Sequence, residues 1–340
     1  MAKTKKIREE DLVTLSAVLR AREARLLTGE RAERMIETGR AEDAAKLLEE
    51  CGYRDMSGLG VFGIEDTLSA RRAELYAELV KTEAAEPVAR LFMLKYDYHN
   101  VKALVKSMGA NEDATRILSE SGRVGSKEIT DAFISGERKD LPPTLSRAMS
   151  EGVGTLSRTS NPQLSDLTAD RLYYAEMTET AEETGDELVR GYVRLVIDAA
   201  NLRTFVRSVR TGRTREFLAS ALFEGGDVPT REITELPYGT EAGAGEKLPL
   251  VFRSDELRGA VEMAFEALAG AAQTAFEREC DNALQLYTQP AKLISFGAPV
   301  VLRYLLAFDW EATAVRMILS GLLAGVEPVK IRERMRSAYV

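Results

Sequence analysis

The string SDELRGAVEMAFEALAGAAQTAFERECDNALQLYT, from Ser254 to Thr288, decides the fold class. Its apolar residues Leu257, Val261, Phe265, Leu268, Ala272, Phe276, Cys280, Ala283 and Tyr287 follow at steps of 4, 4, 3, 4, 4, 4, 3 and 4. Steps of three and four place side chains on one stripe of a helix, whereas a strand would alternate. Ser254, followed by Asp255 and Glu256, reads as an N-cap with acidic first-turn residues. Gly270 weakens a helix interior and is where this element bends or divides.

The same spacing extends to the N-terminal part, where Leu12, Leu15, Leu19 and Leu26 share a stripe flanked by Arg20, Arg22, Glu23 and Arg25. Period-two runs of β-branched residues are nearly absent, and no β-α-β rhythm is present. The expected fold is all-α. Breaks rich in Gly, Pro and Ser fall at 58–63, 121–125, 152–155, 225–229 and 237–249. The last, with Gly239, Gly243 and Gly245, is expected to be a mobile surface loop.

An internal repeat organises the chain. Lys95-Tyr-Asp97-Tyr-His-Asn100-Val-Lys102 recurs as Val196-Ile-Asp198-Ala-Ala-Asn201-Leu-Arg203. A weaker copy reads Glu311-Ala-Thr-Ala314-Val-Arg316. The anchors 100, 201 and 314 are 101 and 113 residues apart. Each copy is preceded by an apolar segment that reads as a second helix (87–92, 188–193 and 299–306). Each is followed by a short helix start at Gly125–Ile129, Val228–Ile233 or Val326–Ile331. This period exceeds the ~34–47 residues of common helical solenoids. The expectation is therefore three related helical units around a pseudo-threefold axis, with boundaries near 1–125, 126–228 and 229–340.

Asp97 and Asn100, like Asp198 and Asn201, are three apart and share a helix face. Lys102 and Arg203 lie five beyond the acid, so any partner they take lies on another helix. The polar residues Asp97, Asn100, Lys102, Asp198, Asn201, Arg203, Glu311 and Arg316 are read as orienting neighbouring helices, with direct partner binding as the alternative.

Composition narrows function. Of 340 residues, 46 are Lys or Arg and 54 Asp or Glu, a net charge of −8 that argues against nucleic acid as the main partner. One His and two Cys cannot assemble a His/Cys zinc site. Cys51 and Cys280 fall in helical segments and read as reduced core residues of a cytosolic protein. The charged start lacks the apolar stretch of a signal peptide, and no window approaches the ~20 apolar residues of a membrane span.

A search for chemistry yields none. There is no G-x-x-x-x-G-K-[ST] loop, and Gly58-Leu-Gly60-Val-Phe-Gly63 follows no strand, so it reads as an ordinary loop. His99, the one imidazole, reads as a packed or surface residue. Acid pairs such as Glu182-Glu183 point apart on helices rather than facing each other across a cleft. Trp310, Tyr173, Tyr174, Tyr192 and Tyr304 read as core or groove residues. Neither a catalytic residue nor a cofactor is expected.

Several strings in combination carry a resemblance: Arg20-Ala-Arg-Glu-Ala-Arg-Leu-Leu27, Leu47-Leu-Glu-Glu-Cys-Gly-Tyr53, Tyr192-Val-Arg-Leu-Val-Ile-Asp-Ala-Ala-Asn-Leu-Arg203, Phe276-Glu-Arg-Glu-Cys-Asp-Asn-Ala-Leu284 and Ile331-Arg-Glu-Arg-Met-Arg-Ser-Ala-Tyr-Val340. In these the chain resembles the C subunit of the bacterial and archaeal V/A-type ATPase, counterpart of the d subunit of the eukaryotic vacuolar pump. Ala314 stands where such proteins often have Asn. The resemblance implies an all-α funnel of three similar units, without nucleotide or bond chemistry. It further implies a place on the cytoplasmic side of a membrane, between a rotor shaft of the D and F subunits and a proteolipid ring, where the protein transmits torque.

Two charged stretches are candidate partner surfaces: Arg20, Arg22, Glu23 and Arg25 in the first helix, and Arg332, Arg334 and Arg336 near the end. The plain alternative for both is a solvated helix face. The rival reading of the whole is a helical scaffold or adaptor without a rotary role. An all-α prenyl-transfer enzyme would carry an Asp-rich D-D-x-x-D string, which is absent.

Overall fold

Three helices of 24 to 26 residues carry the three copies of the repeat. A computed structural model describes residues 9–110, 113–238 and 241–336, and no β-strand occurs among them. In chain order the helices are α1 (Val13–Glu23), α2 (Gly29–Glu37), α3 (Ala41–Lys46), α4 (Val61–Leu79), α5 (Glu86–Ala110), α6 (Ser126–Ser135), α7 (Pro143–Thr159) and α8 (Pro162–Thr184). Then come α9 (Glu187–Arg210), α10 (Arg215–Ala221), α11 (Thr230–Glu235), α12 (Glu241–Val251), α13 (Arg258–Leu268), α14 (Gln273–Tyr287), α15 (Ala298–Leu323) and α16 (Pro328–Arg334). The all-α expectation holds.

The apolar segment before each motif is not a separate helix. Pro87–Phe92 and Asp97–Lys102 lie on α5, and the other two pairs lie on α9 and α15. Nothing in between breaks the helix: Pro87 and Pro299 sit in the first turn, where a missing N–H costs nothing. Helix α15 buries almost its whole circumference, from Val300 and Leu302 to Ile318 and Leu319. An apolar residue that leaves water completely gains about 1.5–3 kcal/mol, so this helix is held by packing all round rather than by one stripe.

Two compact units emerge from the contacts. One spans Ser69–Asp186, where α5 packs against α6, α7 and α8. The other joins Arg8–Leu68 to the segment that starts at Glu187. There α9 packs against α10, α13, α14 and α15, and α15 also against α1, α2, α3 and α16. Its core gathers Leu202, Phe205, Leu218, Ile233, Phe252 and Phe276 around Cys280.

As expected, the Ser254–Thr288 stretch divides at Gly270, whose φ of +90° suits glycine; the break also takes in Ala272 with φ +51° and leaves two helices, α13 and α14. Other expectations are corrected. Ser254 is no cap: its hydroxyl donates to Glu256, and α13 starts only at Arg258. The leucine stripe leaves α1 at Glu23, so buried Leu26 lies beyond the helix.

The 237–249 stretch is not a loop but mostly α12, with Leu248 wholly buried and α13 alongside; Gly239 lies outside the described residues. Gly245 is there for close approach, since a Cβ on it would collide with Phe265. It is also the residue whose carbonyl the Pro249 ring would crowd, four positions on.

Candidate functional site

The repeated polar residues are clamps that hold loops onto the long helices. On α5, Asp97 is wholly buried. Its Oδ1 accepts the backbone N–H of Val124 at 3.2 Å and its Oδ2 the Nε–H of Arg123 at 2.6 Å. One turn on, Asn100 meets the backbone of Ser119 with both ends of its amide. Its Nδ2 donates to the Ser119 carbonyl and its Oδ1 accepts the Ser119 N–H, each at 2.8 Å.

On α9 the arrangement repeats. Asp198 accepts the N–H of Val228 and of Asp227, both at 3.1 Å. Asn201 donates to and accepts from the backbone of Phe223, both at 2.8 Å. The loops lie so close over the helices that a Cβ on Gly122 or Gly226 would collide with the clamping carboxylate. Each loop then starts a short helix, α6 or α11, with matching polar contacts. Glu120 accepts from the Ser126 hydroxyl, and Glu224 from that of Thr230.

The third acid clamps a loop from the other end of the chain. Glu311, wholly buried on α15, accepts the backbone N–H of Leu27 at 2.6 Å and the hydroxyl of Tyr53 at 2.8 Å. Thr28 follows Leu27 and caps α2 by accepting the N–H of Arg31. Thus α2 stands to α15 as α6 stands to α5, although it precedes its clamp in sequence. Ala314 supplies no amide prong.

The bases cross to other helices, as their spacing requires. Lys102 reaches Asp170 on α8 at 2.6 Å. Arg203 holds Glu277 at 2.7 Å and Asp281 at 2.6 Å, both on α14. Arg316 grips Glu65 on α4 with two bonds, at 2.6 and 2.8 Å. Bidentate geometry of this kind fixes orientation as well as energy.

Electrostatics differ between the clamps. Burial pushes the Asp97 carboxyl above the usual range, against the pull of the Arg123 guanidinium. Arg123 also donates to Glu176 at 2.6 Å, and the Tyr98 hydroxyl donates to the same carboxylate at 2.7 Å. Burial works against the Glu176 charge, but these hydrogen bonds prevail and hold it below the ordinary range. Among the described residues no cationic side chain forms an ion pair with Asp198; burial raises it to about 7, with the Val228 and Asp227 N–H groups acting the other way.

The two candidate surfaces are partly consumed by the fold. Arg20 donates to the carbonyls of Ala291 at 2.6 Å and Ile294 at 2.8 Å, and pairs with Glu23. Arg22 is half-buried and Arg25 exposed. Arg332 pairs with Glu33 and Arg336 with Asp281, which thereby links Arg203 to the chain end. Arg334 is exposed. The string that begins at Ile331 runs on into residues 337–340, outside the described residues.

His99 is exposed, with Nε2 2.8 Å from the Ile117 carbonyl. Both cysteines are buried, and neither is in a disulfide. Trp310, Tyr192 and Tyr304 are buried, while Tyr173 and Tyr174 are half-buried. Among the described residues no group of three or more His, Cys, Asp or Glu is placed to hold a metal ion, and no helix is long and apolar enough to cross a membrane. The arrangement ties backbone to helix.

Two parts of it escape a reading of the sequence. The clamped loops carry a signal of their own, since Glu120-Ser-Gly122-Arg-Val124 recurs as Glu224-Gly-Gly226-Asp-Val228, 104 residues on. Leu27 and Tyr53 carry none, because nothing local marks a backbone N–H or a tyrosine as the partner of a distant acid.

Residues 15–334 match the family model described as ATP synthase (C/AC39) subunit. The chain is 23% identical to the C subunit of the V-type sodium ATPase of Enterococcus hirae, over 96% of this chain and 98% of that protein. It is also 23% identical to the C subunit of the V-type ATP synthase of Thermus thermophilus, with the same coverage. Identity to the C subunit of the A-type ATP synthase of Methanocaldococcus jannaschii is 22%, over 95% of this chain and 86% of that protein.

Proposed function

This chain belongs to the ATP synthase (C/AC39) subunit family, and we propose that it is a non-catalytic central-stalk component of a rotary V/A-type ATPase. In this reading it is a socket on the cytoplasmic face of the membrane. It receives a shaft of the D and F subunits on one side and the proteolipid ring on the other, and passes torque between them. The observation that carries the reading is the match of the family along nearly the whole chain, at almost full length of the relatives.

The physics of the clamps supports it. An element that transmits torque must not yield, and close-packed helices are poorly compressible. Short helices tethered only by flexible loops would give way. Here each of α2, α6 and α11 is tied to a long helix by a buried carboxylate, and two of the three loops also by an amide. We further propose that three related units, 1–125, 126–228 and 229–340, surround a pseudo-threefold axis, with the third completed by the loop at Leu27. Three units on a ring of another symmetry cannot repeat identical contacts, which favours many modest polar contacts and salt-sensitive association.

Co-purification tests the role. The full chain is mixed with a D–F complex and, separately, with detergent-solubilised ring, at low and high salt. Binding to both, weakened by salt on the ring side, is expected. Binding to neither would leave only a helical scaffold.

A further inference from the structure

Asp97 and Asp198 do the same job in different electrostatic surroundings. Where the first loop places Arg123 against its clamping carboxylate, the second has Asp227, a like charge. Asp198 is 2% exposed, and its hydrogen-bond partners are two backbone N–H groups. The charged groups that face it cancel rather than compensate. Arg194, one turn earlier on α9, is taken up by Asp227 at 2.9 Å and Glu187 at 2.7 Å. Glu232 of α11 and Arg253 of the following segment line the groove beside Asp198 and lie 4.0 Å from each other.

A buried carboxylate without a cation at contact distance is expensive to ionise. We propose that Asp198 is a proton-sensitive latch: with its proton the carboxyl keeps the 227–229 loop and α11 closed on α9, and loss of that proton to solvent loosens them. The neutral acid still serves both donors, one through its carbonyl oxygen and one through the remaining lone pair of its hydroxyl. The ionised acid does so at the cost of a buried charge that water would solvate better. The Asn201 prong carries no charge, so it pins the Phe223 end of the loop at every pH. The latch depends on the loop geometry and not on the coupling role.

The direction follows from linkage. In an opened loop Asp198 meets water and titrates near ~3.9, the ordinary aspartate value; closed, it titrates at about 7. The closed form holds the proton more tightly, so opening is favoured as pH rises between these values and gains nothing further above the upper one.

Hydrogen exchange of the full chain at pH 5, 6, 7 and 8, corrected for intrinsic exchange rates, tests this. The opening constant of the Asp227 and Val228 amides is expected to rise by up to about tenfold per pH unit to pH 7, then level off. The Ser119–Val124 segment, with Arg123 on its acid, is expected to change less. Asp227→Arg and Asp198→Asn should each flatten the profile. Parallel profiles for the two wild-type loops would overturn the latch, as would an undiminished slope in folded Asp198→Asn. Should that variant fail to fold, the wild-type comparison decides.

Discussion

Glu311 accepts the backbone N–H of Leu27 at 2.6 Å across 284 residues of sequence. This bond, with that from Tyr53, joins the first part of the chain to its longest helix. Removing a buried acceptor leaves its donors unsatisfied, at about 1–3 kcal/mol each. Glu311→Ala is therefore expected to lose roughly 2–5 kcal/mol in a urea titration, and Glu311→Gln, which keeps one acceptor oxygen, less. Equal midpoints for all three proteins would show that the contact carries no weight.

The amide prongs invite a sharper test. Asn100→Ala and Asn201→Ala each strand one backbone donor and one acceptor, so about 2–4 kcal/mol is expected from either. Asn201→Asp keeps the acceptor for the Phe223 N–H but sets a carboxylate against the Phe223 carbonyl. Its deficit should be larger at pH 7 than at pH 4, where the new acid is protonated. A pH-independent deficit would contradict the two-ended pairing.

Within the Arg123 network, Glu176 gives a pH dependence of opposite sign to that of Asp198. Glu176 is held below the ordinary glutamate range by hydrogen bonds from Arg123, Tyr98 and Thr144, which outweigh its burial. A depressed carboxyl adds stability above its unfolded value and loses it as pH falls through its folded one. Glu176→Gln should cost roughly 2–3 kcal/mol at pH 7, in keeping with hydrogen bonds to a charged group, and much less at pH 3. Thermal melts of both proteins across that range measure the difference.

How much of this was legible follows from what each contact is made of. The Asp97–Asn100 and Asp198–Asn201 pairs announced themselves because identical side chains recur at identical spacing. The five-residue offset of Lys102 and Arg203 also required partners on other helices, and α8 and α14 provide them. What the acids grip was less plain: the repeated Glu-x-Gly-x-Val string marks the loops at Val124 and Val228, whereas Leu27 offers only a backbone N–H group that any residue possesses. Gly245 misled for a related reason: glycine that permits close approach of Phe265 spells the same as glycine that permits a turn. Fusion of the apolar segments with the motifs was readable in principle, because no Gly or Pro separates Phe92 from Asp97.

The two cysteines report on these structures without being part of them. Cys280 is wholly buried in the core beneath α9, and its burial, partly offset by the nearby Arg203 charge, pushes the thiol up to about 12. Only the thiolate reacts with an alkylating or disulfide reagent, so burial and charge state both protect it. Cys51 is buried beside the Arg31 guanidinium, with Sγ 3.7 Å from its Nη1. Native protein at pH 8 is expected to leave both thiols unlabelled by a disulfide reagent over the time in which urea-unfolded chain labels both. Glu311→Ala, which frees the Leu27–Tyr53 stretch that contains Cys51, should expose Cys51 to labelling well before Cys280. Simultaneous labelling would mean that the variant opens globally, and that the Leu27 clamp is no separate element of stability.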